Sequence, residues 1–381
     1  MSQPSFDDIP AKASDRSPPS AEAADSPPST PKDIAITASI LLATFAVAFV
    51  GGFIGKLLNF PLPWMTGALM ITAALGLAGV PVRSLWQARA AGQFVTGAAV
   101  GTTFTPAILV TILTLLPAII VGALASIAIA AVGSLILMRI VPVIDAKTAA
   151  LATMPGGVIE MANIAKRIEA DPLPIMVLQT MRVGLTVCAA PFVVTALAEA
   201  GARNVVTQGE VMSWLTVLAL MSASLVGGLL LNRFALPNAW FLGSLFVMAA
   251  LGAAGLIPGR VPEPILVVAQ VIIGMTIGTQ YRHEFLTRLF RLLLASLVTV
   301  PFALMMLALL AALYSYALGL PVTTLVLALA PAGIAEMALT GKILGLDAAL
   351  ITGFQIVRIV MTMGLAAWVA RRFERLVGKR G

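Results

Sequence analysis

The sequence is short of the groups that most chemistry needs: it has one cysteine, Cys188, one histidine, His283, and only 11% charged residues among 381. A lone cysteine forms no internal disulfide, and within an apolar run it behaves as a small hydrophobe. Copper, zinc and iron centres are built from several His or Cys ligands, so no metal site and no other cofactor is expected. No glycine-rich loop ends in Gly-Lys-Ser/Thr, which argues against ATP-driven pumping by this chain. Neither a serine nucleophile elbow nor a metalloprotease His pair is present, and the chain is not expected to be an enzyme. A direct nucleic-acid partner would need a basic face on a soluble domain. The basic residues instead lie between apolar runs and at the C-terminus, so none is expected. A soluble domain carries about 25% charged residues, and the small share here excludes that class.

What the chain has is apolar length. Hydrophobic residues make up 59% of it, and the mean hydropathy is +1.00. Runs at 34–55, 107–138, 173–198, 211–231 and 286–318 reach the ~20 residues that cross a bilayer as a helix. A membrane barrel would show alternating segments of roughly ten residues instead. The expected fold is therefore an all-α polytopic membrane protein, with the lipid bilayer as its first partner. Residues 1–32 are rich in Pro, Ser, Ala and Asp and hold no apolar run, which predicts a disordered tail without a signal peptide.

The chain is internally duplicated. Pro61, Trp64 and Gly67 recur as Pro237, Trp240 and Gly243; Gln93, Gly97, Gly101 and Thr102 as Gln270, Gly274, Gly278 and Thr279. Pro155, Gly157, Glu160, Met161 and Ala162 recur as Pro331, Gly333, Glu336, Met337 and Ala338, and Asp171, Gln179 and Arg182 as Asp347, Gln355 and Arg358. Four blocks in one order at a nearly constant offset divide the chain into a tail (1–32), a first membrane repeat (33–205), a second (206–371) and a basic end (372–381).

Charge suggests how the repeats lie. Six crossings per half would put Arg282, Arg288 and Arg291 opposite the basic C-terminus, against the positive-inside tendency. If the Pro-Gly segments at about 148–166 and 322–343 each enter and leave on one side, five spans remain per half. The inside then collects Lys32, Arg83, Arg89, Arg139, Lys147, Lys166, Arg167, Arg233, Arg282, Arg288, Arg291 and the C-terminal Arg371, Arg372, Arg375, Lys379 and Arg380. Only Lys56, Arg203, Arg260 and Lys342 stay outside. The expectation is two inverted repeats, each of five transmembrane helices plus one re-entrant or broken segment, a plan used by secondary transporters. Both termini would be cytoplasmic and the membrane the inner one.

The Pro-Gly segments are the first candidate site. Pro155, Gly156 and Gly157, and Pro331 and Gly333, interrupt helices, and broken backbone at membrane depth survives only when buried in protein or lining a watery cavity. Glu160 and Glu336, just beyond each break, with Asn163, can take a cation or proton, and the helix start can attract an anion. The bland alternative is a turn whose Glu caps a helix. Gln179 and Arg182, and Gln355 and Arg358, share a helix face inside apolar segments where Arg costs about 2.5–3.5 kcal/mol. They either hold an anionic group of a solute or form ion pairs, Arg182 with Glu160 and Arg358 with Glu336. The glycines spaced by four after Gln93 and Gln270 fit close helix packing, with the two glutamines as secondary ligand candidates. Trp64 and Trp240 read as interfacial anchors, and Asp171 and Asp347 as N-caps.

The blocks Pro63-Trp64-Met65-Thr66-Gly67-Ala68, Gln93-Phe94-Val95-Thr96-Gly97 and Met154-Pro155-Gly156-Gly157-Val158-Ile159-Glu160-Met161, with Pro331 to Ala338, resemble the AbrB-like membrane protein family over about 36–372. Members carry labels as AbrB-family transcriptional regulators, as ammonia monooxygenases or as membrane proteins with no assigned role. The resemblance implies kinship with cation/proton antiporter and anion transporter folds. The monooxygenase label meets no metal ligands here, and the regulator label no soluble DNA-reading head. Two functions stay open: a secondary transporter or exporter of a small charged solute, coupled to H+ or Na+, or a membrane sensor that acts on gene expression indirectly. A homodimer is compatible with either.

Overall fold

The computed structural model describes residues 31–198, 210–234, 236–257, 259–287 and 289–377. The expected tail up to residue 30, Arg203, Arg288, Lys379 and Arg380 lie outside the described residues. The first half forms α1 (Pro31–Leu57), α2 (Pro63–Leu77), α3 (Trp86–Gly101), α4 (Pro106–Thr114), α5 (Leu116–Ile140), α6 (Ala146–Thr153), α7 (Val158–Arg167) and α8 (Pro172–Leu197). The second repeats that order as α9 (Trp214–Arg233), α10 (Ala239–Ala253), α11 (Glu263–Gly278), α12 (Glu284–Thr287), α13 (Phe290–Leu318), α14 (Val322–Leu329), α15 (Ile334–Ile343) and α16 (Ala348–Val377). Among the described residues there is no strand, only an isolated bridge between Val211 and Arg260.

Local chemistry sets the helix starts. Thr105, Asp145, Asp171 and Ser213 accept backbone N–H groups at the N-caps of α4, α6, α8 and α9, and proline stands in the first turn of α2, α4, α5, α8 and α11, where its missing N–H costs nothing. Asp347 does the same before α16 through Leu350 N. The two halves even share an unusual entry: Leu62 before α2 and Asn238 before α10 are both left-handed, at φ 51° and 52°.

The chain is a helical membrane protein. Among the described residues six helices are long and apolar enough to cross a bilayer: α5, α8, α9, α13, α16 and the Ile36–Leu57 part of α1. Together α3 and α4, bent by 97° at their junction, would make a seventh. The ten full spans expected from the sequence are not reached by this measure. α2, α10 and α11 have 15 or 16 residues, short of ~20, because the turns at Gly79 (φ +85°) and Gly255 (φ +71°) cut α2 and α10 off. The apolar run 107–138 is likewise two helices, α4 and α5, meeting at Leu115. Leu42 and Leu215 on α1 and α9 are 72% and 77% exposed, as side chains facing lipid would be.

The helices pack across the halves in matched pairs. α3 lies on α10 and α11 on α2. A Cβ at Gly97 would stand 2.2 Å from Phe241 O, and one at Gly274 2.2 Å from Met65 O. The four-residue glycine spacing thus brings backbones together. A second group holds α5–α8 and α13–α16. At its centre α8 packs on α6, α7 and α14, and α16 on α14, α15 and α6. Each Gln-Arg helix therefore supports the interrupted segments of both halves.

Candidate functional site

Each interrupted segment is two half-helices separated by four residues: 154–157 between α6 and α7, and 330–333 between α14 and α15. Pro155 and Pro331 lie in the breaks and offer no N–H. Gly157 and Gly333 are extended N-caps at φ −77°, ψ 145° and φ −72°, ψ 152°. Such a break leaves unpaired carbonyls at the end of the first half-helix and unpaired N–H groups at the start of the second.

The carbonyl end is clamped from α8 or α16. Gln179 Nε2 donates to Leu151 O and Met154 O, both at 2.8 Å. Arg182 donates to Met154 O and, at 2.8 Å, to Gly156 O. In the second half Gln355 Nε2 donates to Leu327 O, Ala328 O and Ala330 O at 2.9, 3.2 and 3.1 Å. Arg358 donates to Leu329 O at 3.1 Å, to Ala330 O, to Ala332 O at 3.0 Å, and to Gln355 Oε1. The Arg–Glu ion pairs weighed from the sequence do not form. Among the described residues the one ion pair is Lys147–Glu374, at 3.4 Å. The guanidinium fork is filled by carbonyls, and the negative end of a half-helix takes the place of a carboxylate. On Arg358 the four terminal N–H donors are all taken and Nε is left, whereas on Arg182 each terminal nitrogen makes one bond and Nε makes none.

The N–H end carries the acids. A Cβ at Gly157 would stand 1.9 Å from Glu160 Oε2, and one at Gly333 2.0 Å from Glu336 Oε2. Each carboxylate therefore folds back over its own glycine, toward the positive end of α7 or α15. Glu336 is 3% exposed, whereas Glu160 is half-buried.

A cavity of about 530 Å³ reaches both breaks. It brings together Gln93, Gly156, Gly157, Glu160, Asn163, Gly333, Glu336 and Arg358, with Trp86, Arg89, Arg167, Asn238 and Trp240 on its other walls. Gln93 Nε2 donates to Asn238 Oδ1 at 3.0 Å, tying α3 to the start of α10. Gln179 and Gln355 stand behind the wall as supports, and Pro155 and Pro331 are buried. Arg182 lines a separate small cavity of about 20 Å³ with Thr153 and Thr299. Gln270 is apart from the large cavity and bonds Leu266 O within its own helix at 3.3 Å. Trp240, read as an interfacial anchor, is a wall residue.

The sequence reading missed Thr186 and Thr362. Each lies one turn beyond its arginine, fully buried, with a hydroxyl that has no side-chain hydrogen-bond partner. They recur at the same spacing as the Gln-Arg pairs, and that spacing was the signal. Chemically, the site offers two carboxylates for protons or a cation, two helix N-termini for an anion, and amide groups for a neutral portion. No group of three or more His, Cys, Asp or Glu able to hold a metal is present among the described residues.

Comparison with known proteins places the chain. The family described as "Transition state regulatory protein AbrB" matches residues 64–374, and the chain belongs to it. The YhjN protein of Bacillus subtilis (strain 168), whose name states no function, is 26% identical over 365 residues, covering 88% of this chain and 93% of its own. A protein of Escherichia coli (strain K12) named as a proposed regulator, AbrB, is 25% identical over 353 residues, covering 89% and 97%.

Proposed function

We propose that the chain is a secondary transporter or exporter of a small charged solute, working by alternating access between two inverted repeats. The observation that carries the reading is the cavity that reaches both helix breaks and presents Glu160 and Glu336 together. Irregular backbone lining a cavity at membrane depth is how such carriers build their sites. In this reading Glu160 and Glu336 exchange a proton or Na+ with the solute, and Gln93 and Asn163 make polar contacts. Arg182 and Arg358 act as positioning residues that hold the breaks open. The chain does no covalent chemistry, lies in the inner membrane with both termini in the cytoplasm, and assembles as a single chain or a pair of copies.

The test is solute counterflow in liposomes that contain the purified protein. Flux that is present in the native chain and lost in Glu160→Gln and in Glu336→Gln supports transport. A sensor is the second reading, favoured by the name of the Escherichia coli relative. Solute binding, detected as a raised melting temperature, without any flux would establish it instead.

A further inference from the structure

The two halves share their sequence blocks but not their packing. α15 packs on α3, while its counterpart α7 makes no comparable packing on α11. All of Ile334 to Gly341 is buried, whereas Ile159 in the matching stretch of α7 is 64% exposed. The cavity is lined by Gln93 and by Asn238 and Trp240, but not by their counterparts Gln270, Leu62 and Trp64.

One pair of polar contacts tracks this difference. Lys166 and Lys342 occupy matching places near the ends of α7 and α15, and Thr102 and Thr279 are the matching C-caps of α3 and α11. Lys342 Nζ donates to Thr102 Oγ1 at 3.1 Å, so an ammonium sits at the negative end of α3. The other pair is unmade: Lys166 is exposed and has no hydrogen bond or ion pair among the described residues, and the Thr279 hydroxyl is shared with Ser84 Oγ at 2.8 Å.

We propose that Lys342–Thr102 and Lys166–Thr279 are alternative latches, closed one at a time. The structure holds the first closed. In the second state α7 docks on α11, Lys166 takes the Thr279 hydroxyl from Ser84, and the cavity wall passes from Gln93 and Trp240 to Gln270 and Trp64. The inference rests on the alternating-access reading. With the charge-derived orientation, Lys342 lies on the outer side, and Arg89 and Arg167 at the present cavity on the inner side. The closed latch thus seals the outside while the cavity faces in, and the second latch reverses both.

Crosslinking of the full chain in lipid nanodiscs tests this, with Cys188→Ala removing the native thiol. Thr102→Cys with Lys342→Cys removes the first latch, so its yield through a short bifunctional thiol reagent should be low with native Thr279 and should rise when Thr279→Val removes the second latch too. Lys166→Cys with Thr279→Cys should crosslink weakly. Adding Thr102→Val to that second pair should raise its yield about tenfold, since a charge-assisted hydrogen bond is strong enough to shift a two-state ratio by that much. Thr102→Ser keeps the hydroxyl and should return the yield to the weak level, which separates loss of the latch from loss of the fold. A yield at 166–279 that is the same with the native Thr102, with Thr102→Val and with Thr102→Ser overturns the proposal. Because no flux is measured, a chain that moves no solute but still exchanges the two crosslinks would refute transport and leave the latch standing.

Discussion

Replacing Arg358 with methionine asks whether the arginines are structural clamps or solute ligands. In the structure four carbonyls accept from Arg358: Leu329 O, Ala330 O, Ala332 O and the side-chain Gln355 Oε1. Ala330 O keeps Gln355 as a donor, but no backbone N–H reaches Leu329 O or Ala332 O among the described residues. Leaving a buried carbonyl unpaired costs ~1–3 kcal/mol, so these two and Gln355 Oε1, which has no other donor among the described residues, together cost about 3–9 kcal/mol. In the first half Met154 O keeps Gln179, and Arg182→Met orphans only Gly156 O, for about 1–3 kcal/mol. That carbonyl lies beside the cavity and is half-buried, which lowers the figure further. Removing the charge relieves a desolvation penalty, but Arg182 and Arg358 are 4% and 3% exposed, so the relief is alike in both and cancels in the comparison. Arg358→Met should therefore lower the melting temperature clearly more than Arg182→Met, at ~1–2 °C per kcal/mol if the size scaling of soluble proteins extends to this length. Thermal unfolding of the purified variants in detergent, followed by tryptophan fluorescence, gives the comparison. Equal shifts, a larger shift for Arg182→Met, or a rise in both would refute the clamp and return the guanidiniums to a ligand role.

Three further outcomes follow from the packing. Gly97→Ala and Gly274→Ala place a methyl 2.2 Å from a backbone carbonyl that cannot step aside, so each should cost ~1–3 kcal/mol; Gly364→Ala, on α16 with nothing within 4 Å, should instead stabilise by up to about 1 kcal/mol, and unfolding curves in one detergent read all three. Gly157→Ala and Gly333→Ala meet only the movable end of a glutamate side chain, so they should displace the carboxylate and change the pH dependence of solute binding while the melting temperature stays near that of the native chain. Glu374→Gln breaks the Lys147–Glu374 contact, in which Glu374 is 45% exposed, and should change stability by less than ~1 kcal/mol.

The parts of this molecule that were legible in the sequence are those where side chains carry the pattern. The duplication was visible because Pro, Gly, Glu, Gln and Arg recur in order, and the structure returns the same blocks as matched helices. The glycine rows predicted close packing for the same reason. The partners of Arg182 and Arg358 were not legible. A buried arginine suggests a carboxylate to a reader of side chains, and Glu160 and Glu336 were at hand, but the groups that bind it are backbone carbonyls, which every residue has. Span lengths were hidden because apolar composition continues through the tight turns at Gly79 and Gly255 and through the α4–α5 junction at Leu115. The cavity wall was hidden because it is made between halves: Gln93 meets Asn238 only once α3 lies on α10, a contact with no trace in local spacing.

The co-occurrence of the two motifs has a single electrostatic cause. Breaking a helix creates two ends of opposite partial charge, and neither can be left bare in an apolar surround. The negative ends of α6 and α14 draw a cation and an amide, which α8 and α16 supply as Arg and Gln. At the positive ends of α7 and α15, Glu160 and Glu336 fold back over Gly157 and Gly333. Pairing Arg directly with Glu would neutralise the side chains and leave both backbone ends unsatisfied. Keeping them apart places an arginine at each carbonyl end and a carboxylate beside each helix start. A site built this way can change its charge without unfolding its break, because the clamp that maintains the gap stands on the other side of it.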